Sequence, residues 1–185
     1  MLQSSPLAIP GVLRLLPSTL MDSQGWQTTL YSEASFAAAG IHDRFVQDTI
    51  FYADKPGSLR GLHYQLPPAA QALLIRVLRG SATVAVADLR RSSQTFGRAV
   101  TADLSYMAGD QLYVMPGFAF GWCSREPATE ILVKASAPHH ADLLRGINAR
   151  DPKLAIAWPL KGGDLQFAPG DIDQPMLAEQ PDLYD

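Results

Sequence analysis

Short runs of β-branched, aromatic and other apolar residues fill most of the chain between residues 45 and 136, and turn residues separate them about every ten positions. These runs predict eight strands, at 45–52, 58–65, 73–79, 82–89, 98–104, 111–115, 118–124 and 129–136. Two shorter strands are predicted before them, at 12–16 and 26–31. Many short strands with regular turns are typical of an antiparallel sandwich or barrel.

The pattern differs on either side of these strands. Residues 32–40 are predicted to form a helix, because Ser32 is a suitable N-cap, the alanines favour helix and Gly40 is a fitting C-terminal stop. The chain after residue 138 is predicted to be mostly loop, with short helical turns near 141–144. Residues 161–185, rich in Gly, Pro and Asp, are expected to wrap over the barrel or fray.

The length of 185 residues fits one domain with a sizeable core. We expect an N-terminal arm at about 1–25, a barrel at about 26–137 and a C-terminal wrap at about 138–185. Charged residues are 18% of the chain and the net charge is −3, which gives no basic surface for nucleic acid. The single cysteine, Cys123, permits no intramolecular disulfide and favours a reduced cytoplasmic setting. No signal peptide and no apolar segment of about 20 residues is present, so no membrane partner is expected.

The strand predicted at 58–65 has the highest concentration of side chains suited to catalysis or binding, with one arginine, one histidine and one glutamine within six residues. Side chains alternate along a strand, so His63 and Gln65 should share one face, and Leu62 and Tyr64 the other. A histidine in an apolar β interior is either a satisfied core group or a catalytic one. The strand alone leaves both interpretations open.

Metal chemistry is disfavoured by the distribution of the histidines. The four are His42, His63, His139 and His140. None forms an H-x-H pair, and there is no second cysteine, whereas a buried metal site needs about three or four convergent ligands. No G-x-S-x-G sequence and no phosphate loop is present. The sequence therefore predicts neither metal nor cofactor.

Acid–base chemistry by one histidine remains, with an arginine nearby to hold an anion. A histidine is a better base when a carboxylate orients its other ring nitrogen. The candidates for that carboxylate are Asp88, Asp110 and Asp171, and the sequence does not rank them. For Asp88, the alternative is a strand-end residue that caps the following turn.

Several segments in one register resemble the cupin-fold dTDP-4-dehydrorhamnose 3,5-epimerases over most of residues 20–171. They are Phe45-Val46-Gln47-Asp48, Leu59-Arg60-Gly61-Leu62-His63-Tyr64-Gln65, Ala70-Gln71, Arg76-Val77-Leu78-Arg79-Gly80, Val86-Ala87-Asp88-Leu89-Arg90, Pro116-Gly117-Phe118-Ala119, Asp151-Pro152 and Trp158-Pro159-Leu160. The resemblance implies an all-β, cupin-like jelly-roll barrel with short peripheral helices. It also implies a homodimer that epimerises a nucleotide-linked 4-keto-6-deoxy sugar at carbon 3, carbon 5 or both, without a metal.

The same resemblance assigns roles to five residues. It makes His63 the base that removes a proton next to the keto group, and Asp171 the carboxylate that orients it. Arg60 would contact the diphosphate or the sugar. Gln47 would contact the nucleotide portion, and Gln71 would also bind substrate.

Three departures from the family pattern change the expected cavity. The family's lysine, tyrosine and histidine are here Leu73, Val133 and Phe120. The wall opposite His63 should therefore be more apolar, and losing one oxyanion-stabilising group typically costs about 10²–10³ in rate. Smaller departures are Gln24, Trp26, Thr29 and Thr49. Four residues could substitute for the lost groups without matching a family position: Tyr64, Tyr113, Lys134 and His139.

Three functions are therefore considered. The first is an epimerase of a nucleotide-linked 4-keto sugar that uses His63 and Asp171, at one carbon or two. The second is a catalytically degenerate cupin that binds a sugar nucleotide or a more apolar ligand without epimerising it. The third is another reaction on the same base, such as dehydration of a keto sugar.

Overall fold

The computed structural model describes residues 2–160 and 164–185. The described residues include one short helix, α1 (Glu33–Ala38), and fourteen strands. The first seven strands are β1 (Gln3–Pro6), β2 (Val12–Leu16), β3 (Thr19–Asp22), β4 (Gly25–Thr28), β5 (Gln47–Ala53), β6 (Ser58–Gln65) and β7 (Leu73–Arg79). The other seven are β8 (Ser81–Asp88), β9 (Ala99–Ser105), β10 (Gln111–Val114), β11 (Phe118–Ser124), β12 (Thr129–Ala135), β13 (Leu144–Gly146) and β14 (Gln166–Phe167).

Two sheets face each other and enclose the main core. The first sheet has the order β1-β2-β10-β7-β12-β5, and the second has the order β13-β6-β11-β8-β9, with β14 paired to β6. Side chains from both sheets interdigitate in one buried cluster that includes Ile75, Val84, Leu112, Trp122 and Ile131. This is a cupin-like jelly roll, and the prediction of an all-β, cupin-like barrel is confirmed. Short peripheral helices were expected, and the described residues form one.

The first strands belong to the barrel itself and do not form a separate arm. Strand β2 pairs antiparallel with β10, placing Val12 opposite Val114, and β1 extends the same sheet. The barrel therefore begins well before the expected residue 26, because a partner about 100 positions away completes β2. Strands β3 and β4 form an exposed hairpin outside both sheets.

The helix ends as its sequence predicts. Gly40 has φ +80°, and the N–H groups of Gly40 and Ile41 donate to the carbonyls of Ala37 and Phe36 at 3.0 and 2.9 Å. This pair of bonds is the Schellman arrangement, which favours glycine at the left-handed position. Ser32 occupies the N-cap position, but its side chain makes no capping hydrogen bond.

The chain after β12 packs against the outer face of the second sheet. Its apolar residues Ile147, Leu154 and Leu177 are buried against Leu62 and Tyr64 of β6. Burying both β6 side chains in this cluster confirms that Leu62 and Tyr64 share a face. Residues 141–143 form a turn, as predicted near 141–144, but Leu144 begins strand β13. Residues 161–163 of the predicted 161–185 segment lie outside the described residues.

Candidate active site

A cavity of about 310 Å³ opens between the two sheets and is lined by strands of both. Strand β6 of the second sheet contributes Arg60 and His63 to the lining. Strands β7 and β12 of the first sheet contribute Leu73 and Val133. The charged and titratable side chains of Arg60 and His63 therefore share the cavity with apolar side chains from the other sheet.

A bulge in β6 turns Arg60 and His63 toward the same cavity. Phe120 of β11 pairs with His63 and Trp122 pairs with Arg60, so three steps along β6 match two along β11. The extra residue changes the alternation of side chains, so positions three apart face the same way.

The bulge needs glycine at residue 61. Gly61 has φ +102°, and a Cβ built there would lie 2.7 Å from Gly121 Cα and 2.7 Å from the Phe120 carbonyl oxygen. A side chain would collide with the backbone of β11 and would also occupy an unfavourable region of φ. The close approach of the two backbones thus fixes where Arg60 and His63 point.

A short parallel strand and a turn bring Asp171 to this bulge. Strand β14 pairs with the start of β6, and the Ala168 N–H then donates to the Leu59 carbonyl at 2.9 Å. A turn over residues 168–171 follows, closed by the Asp171 N–H on the Ala168 carbonyl at 3.1 Å. It has proline at its second position and Gly170, with φ +81°, at its third, which is the sequence signature of a type II turn.

His63 and Asp171 form a hydrogen-bonded pair on the cavity wall. His63 Nε2 lies 2.7 Å from Asp171 Oδ1, and the Gly61 N–H donates to Asp171 Oδ2 at 2.7 Å. The Asp171 side chain is 5% exposed and that of His63 is 32% exposed. The buried aspartate is therefore fixed by the Gly61 N–H, while the imidazole of His63 reaches solvent through the cavity.

The surroundings of Asp171 favour its ionised form. Burial acts to raise the pKa of the carboxyl, but the hydrogen bonds from His63 and the Gly61 N–H and the charges of His63 and Arg60 outweigh burial, so the pKa is below its ordinary value. An ionised Asp171 holds a proton on His63 Nε2. Nδ1, for which the described residues provide no hydrogen-bond partner, is then free to accept a proton.

Arg60 is exposed at the same wall. Its guanidinium carbon lies 5.6 Å from the centroid of the Phe51 ring, which also lines the cavity. No acidic side chain among the described residues pairs with it within salt-bridge distance. The guanidinium is thus available to an anionic ligand.

Gln47 and Gln71 both line the cavity, as expected for substrate-binding residues. Their side-chain amides, however, form hydrogen bonds with backbone groups of residues 137–139. Gln47 accepts the His139 N–H at 2.8 Å, and Gln71 donates to the Ala137 carbonyl at 2.8 Å. Contact with substrate stays a prediction for these two residues.

The apolar residues that replace family groups do line this cavity, but not all on one wall. Leu73 and Val133 lie on the first sheet, across from the sheet that carries His63. Phe120 pairs directly with His63 on the neighbouring strand β11, so the expectation that it faces His63 from the opposite wall is wrong. A family match gives the position in sequence, and only the strand order tells which wall that position occupies.

Of the four suggested substitutes, only Tyr64 and His139 line the cavity. The Tyr113 hydroxyl donates to Asp43 at 2.5 Å in another cluster. Lys134 is paired with Asp48 at 2.6 Å.

Tyr184 is a lining residue that the sequence did not indicate. Its hydroxyl donates to the Gln65 carbonyl, and burial raises its pKa to about 12. It lies in a tail with no local pattern, so only its position in the fold could reveal it.

The other two candidate carboxylates belong to different surroundings. Asp88 is fully buried and accepts hydrogen bonds from the side chains of Arg90, Ser93 and Thr95 and from the Arg90 N–H at 3.1 Å. It therefore caps the turn after β8, as the alternative interpretation proposed. Asp110 Oδ2 forms an ion pair with Arg14 Nη1 at 2.8 Å. Neither Asp88 nor Asp110 lines the cavity.

Two searches of the described ranges, 2–160 and 164–185, gave no result. Neither range brings together three histidine, cysteine, aspartate or glutamate side chains able to hold a metal ion. Likewise, those residues form no helix that is long and apolar enough to cross a membrane.

Fold and cavity together define a cupin-like barrel with a candidate acid–base site beside an arginine. The family model for dTDP-4-dehydrorhamnose 3,5-epimerase matches residues 6–179. The dTDP-4-dehydrorhamnose 3,5-epimerase of Sinorhizobium fredii is 35% identical over 175 residues, which cover 95% of this chain and 89% of the relative. This chain belongs to the dTDP-4-dehydrorhamnose 3,5-epimerase family.

Solved structures agree with this membership. The dTDP-6-deoxy-D-glucose-3,5-epimerase RmlC from Legionella pneumophila, in complex with dTDP-4-keto-L-rhamnose, matches with a TM-score of 0.91 at 31% identity, covering 97% of this chain and 94% of that one. ChmJ, a 3′-monoepimerase from Streptomyces bikiniensis in complex with dTDP-quinovose, matches with a TM-score of 0.85 at 28% identity, covering 94% and 87%. The epimerase hypothesis is thereby supported over the degenerate cupin.

Proposed function

We propose that this protein epimerises a nucleotide-linked 4-keto-6-deoxy sugar such as dTDP-4-dehydro-6-deoxyglucose, at carbon 3, carbon 5 or both. The observation that carries the proposal is the His63–Asp171 pair, with Nε2 and Oδ1 2.7 Å apart, beside the guanidinium of Arg60, which forms no ion pair with the described residues. A base next to an anion-binding group in a cavity between sheets suits a small anionic substrate with an acidic C–H bond.

The reaction follows from the acidity of a carbon next to a ketone. His63 Nδ1 accepts the proton, and the electrons of the C–H bond form an enolate with its charge on the keto oxygen. Asp171 stabilises the imidazolium that results, since its ionised carboxylate accepts a hydrogen bond from the Nε2–H group. A proton that returns to the other face of the carbon inverts it.

Arg60 is proposed to bind the diphosphate. A guanidinium offers a rigid set of donors that matches phosphate oxygens, and it keeps its charge at any relevant pH. Gln47 and Gln71 are proposed to contact the rest of the nucleotide sugar from the first-sheet side of the cavity. In these roles the amides would contact substrate while keeping their present bonds to the backbone of residues 137–139.

The test is solvent exchange followed by NMR. The protein and dTDP-4-dehydro-6-deoxyglucose are mixed in D2O, and deuterium at carbons 3 and 5 is measured together with the configuration of each carbon. His63→Asn should reduce deuterium uptake by about 10²–10⁴. His42→Asn is the matched control, since His42 is exposed and lies outside the cavity. Wild-type protein that binds dTDP but never exchanges deuterium would favour the degenerate cupin.

A homodimer and a cytoplasmic location are also proposed. Three large apolar side chains are exposed on or beside strand β5 at the edge of the first sheet: Val46 at 61%, Ile50 at 60% and Tyr52 at 55%. A second copy that covered this edge would bury them. Sedimentation velocity tests the dimer, and a monomer at micromolar concentration contradicts it. The single, buried thiol of Cys123 supports the location, which cell fractionation tests.

A further inference from the structure

Residues 137–140, here called the rim segment, cross from the first sheet to the second at the edge of the cavity. The segment leaves β12 of the first sheet and leads to β13, which pairs with β6 of the second. His139 of this segment is one of the cavity-lining residues. The rim segment therefore places a titratable side chain in the cavity from a different direction than strand β6 does.

Three glutamine side chains hold the rim segment by its backbone. Gln47 accepts one of its N–H groups at 2.8 Å. Gln65 accepts another at 2.7 Å and donates to a carbonyl at 2.9 Å, and Gln71 donates to a carbonyl at 2.8 Å. The three glutamines come from β5, β6 and the loop before β7. Anchoring from three elements fixes the segment more firmly than its loop sequence would.

The imidazole of His139 forms no hydrogen bond or ion pair with the described residues. Only its backbone N–H has a hydrogen-bond partner, and its side chain is exposed. The other lining groups that could move a proton are the hydroxyls of Tyr64 and Tyr184, which donate to backbone carbonyls. Burial raises the pKa of both phenols, so both hold their protons firmly.

We propose that His139 is the second catalytic proton-transfer residue, which delivers a proton to the face of the substrate carbon opposite His63. This inference rests on the proposed function. Val133 offers no acid on its part of the cavity wall, and the imidazole of His139, carried on a backbone that Gln47 holds, supplies one at the rim.

The protons and electrons balance over one turnover. His63 takes the proton from the carbon next to the ketone, and the bonding pair becomes the C=C bond of the enolate, with the charge on the keto oxygen. The imidazolium of His139 then gives its proton to the same carbon, while the C=C electrons form the new C–H bond and the ketone is restored. His63 gains one proton and His139 loses one, and exchange with solvent resets both. The inverted carbon should therefore carry a proton from solvent.

The experiment compares inversion with exchange in D2O, measured by NMR on the same samples of dTDP-4-dehydro-6-deoxyglucose. In wild type, each inverted carbon should carry one deuteron. In His139→Gln, inversion should fall by about 10² or more, while deuterium uptake with retained configuration stays within about fivefold. His63 alone suffices for that uptake, because its partly exposed imidazolium exchanges with solvent before returning a deuteron.

Two further variants make the comparison decisive. His140→Gln is the matched control, because the neighbouring imidazole does not line the cavity, and both rates should match wild type. His139→Tyr restores a proton donor and should recover part of the inversion. Inversion at the wild-type rate in His139→Gln overturns the inference alone, and so does a rise in KM with kcat unchanged, which would assign His139 to ligand binding. A wild-type protein with no exchange at all overturns the proposed function together with this inference.

Discussion

Replacing Asp171 by asparagine tests how the histidine is held. The carboxylate accepts two hydrogen bonds of 2.7 Å, from His63 Nε2 and from the Gly61 N–H. Asparagine has one acceptor oxygen, so it can satisfy only one of these two donors. If the oxygen stays with Gly61, the amide NH2 faces Nε2 and favours the tautomer with its proton on Nδ1. The nitrogen that should accept the substrate proton is then already protonated.

The expected losses follow from these contacts. Deuterium uptake should fall by about 10²–10⁴, the usual contribution of a positioned general base. Losing one hydrogen bond to a charged, buried group costs about 1.5–3 kcal/mol of the free energy of unfolding. For a chain of this size, that corresponds to a decrease in Tm of about 3–12 °C.

The assay is NMR-detected deuterium uptake, together with a thermal melt followed by circular dichroism. Asp173→Asn is the control, because Asp173 is exposed two residues further on and forms no ion pair within the described chain. Uptake by Asp171→Asn within threefold of wild type would refute the view that this carboxylate sets the tautomer of His63. A lowered Tm with normal uptake would leave Asp171 a structural role only.

Three further predictions concern the surroundings of the site. Gly61→Ala should lower the free energy of unfolding, measured by urea titration, by about 2 kcal/mol or more, because the alanine Cβ would lie 2.7 Å from Gly121 Cα. Unchanged stability would mean that the bulge relaxes freely. Arg60→Ala should weaken dTDP binding roughly 10–100-fold by calorimetry, and unchanged affinity would remove Arg60 from the anion site. Burial acts to raise the pKa of Asp88, but hydrogen bonds from Arg90 and two hydroxyls outweigh it and lower the pKa from 3.8 to about 2. Because the pKa is lowered, the ionised Asp88 adds about 2 kcal/mol to the free energy of unfolding above about pH 4, and this contribution is lost as the pH falls toward 2. Thermal melts between pH 2 and pH 4 should therefore show a smaller change of Tm with pH in Asp88→Asn than in wild type.

The barrel strands could be predicted because their signals are local. Strands β6, β7 and β11 have the predicted bounds, since apolar runs with Gly or Pro at their ends define both type and length. Strands β1, β3, β13 and β14 were missed, and each is two to four residues long. Strands β13 and β14 are held by pairing with the distant strand β6, so no local pattern marks them. Strands β1 and β3 pair with their sequence neighbours β2 and β4, but all their residues are exposed and neither contains a long apolar run.

The candidate site could be predicted in part. The residues alone gave a histidine with a nearby arginine and three possible carboxylates, and only the family resemblance selected Asp171. The geometry then depends on features that a sequence does not display. The bulge arises where Gly61 meets Gly121 of another strand, and β14 positions Asp171 by pairing far along the chain. The anchoring of the rim segment that carries His139 depends likewise on hydrogen bonds from three glutamine side chains, and their positions are known only from the folded structure.

The parallel pairing of β14 with β6 has a consequence for biosynthesis. His63 leaves the ribosome with its strand long before residues 166–171, yet its carboxylate partner arrives only with them. A nascent or clipped chain that lacks this segment can contain all strands from β1 to β13 and still have no oriented base. In the proposed reaction, a partly synthesised barrel should therefore turn over the sugar nucleotide far more slowly than one in which residues 166–171 have docked.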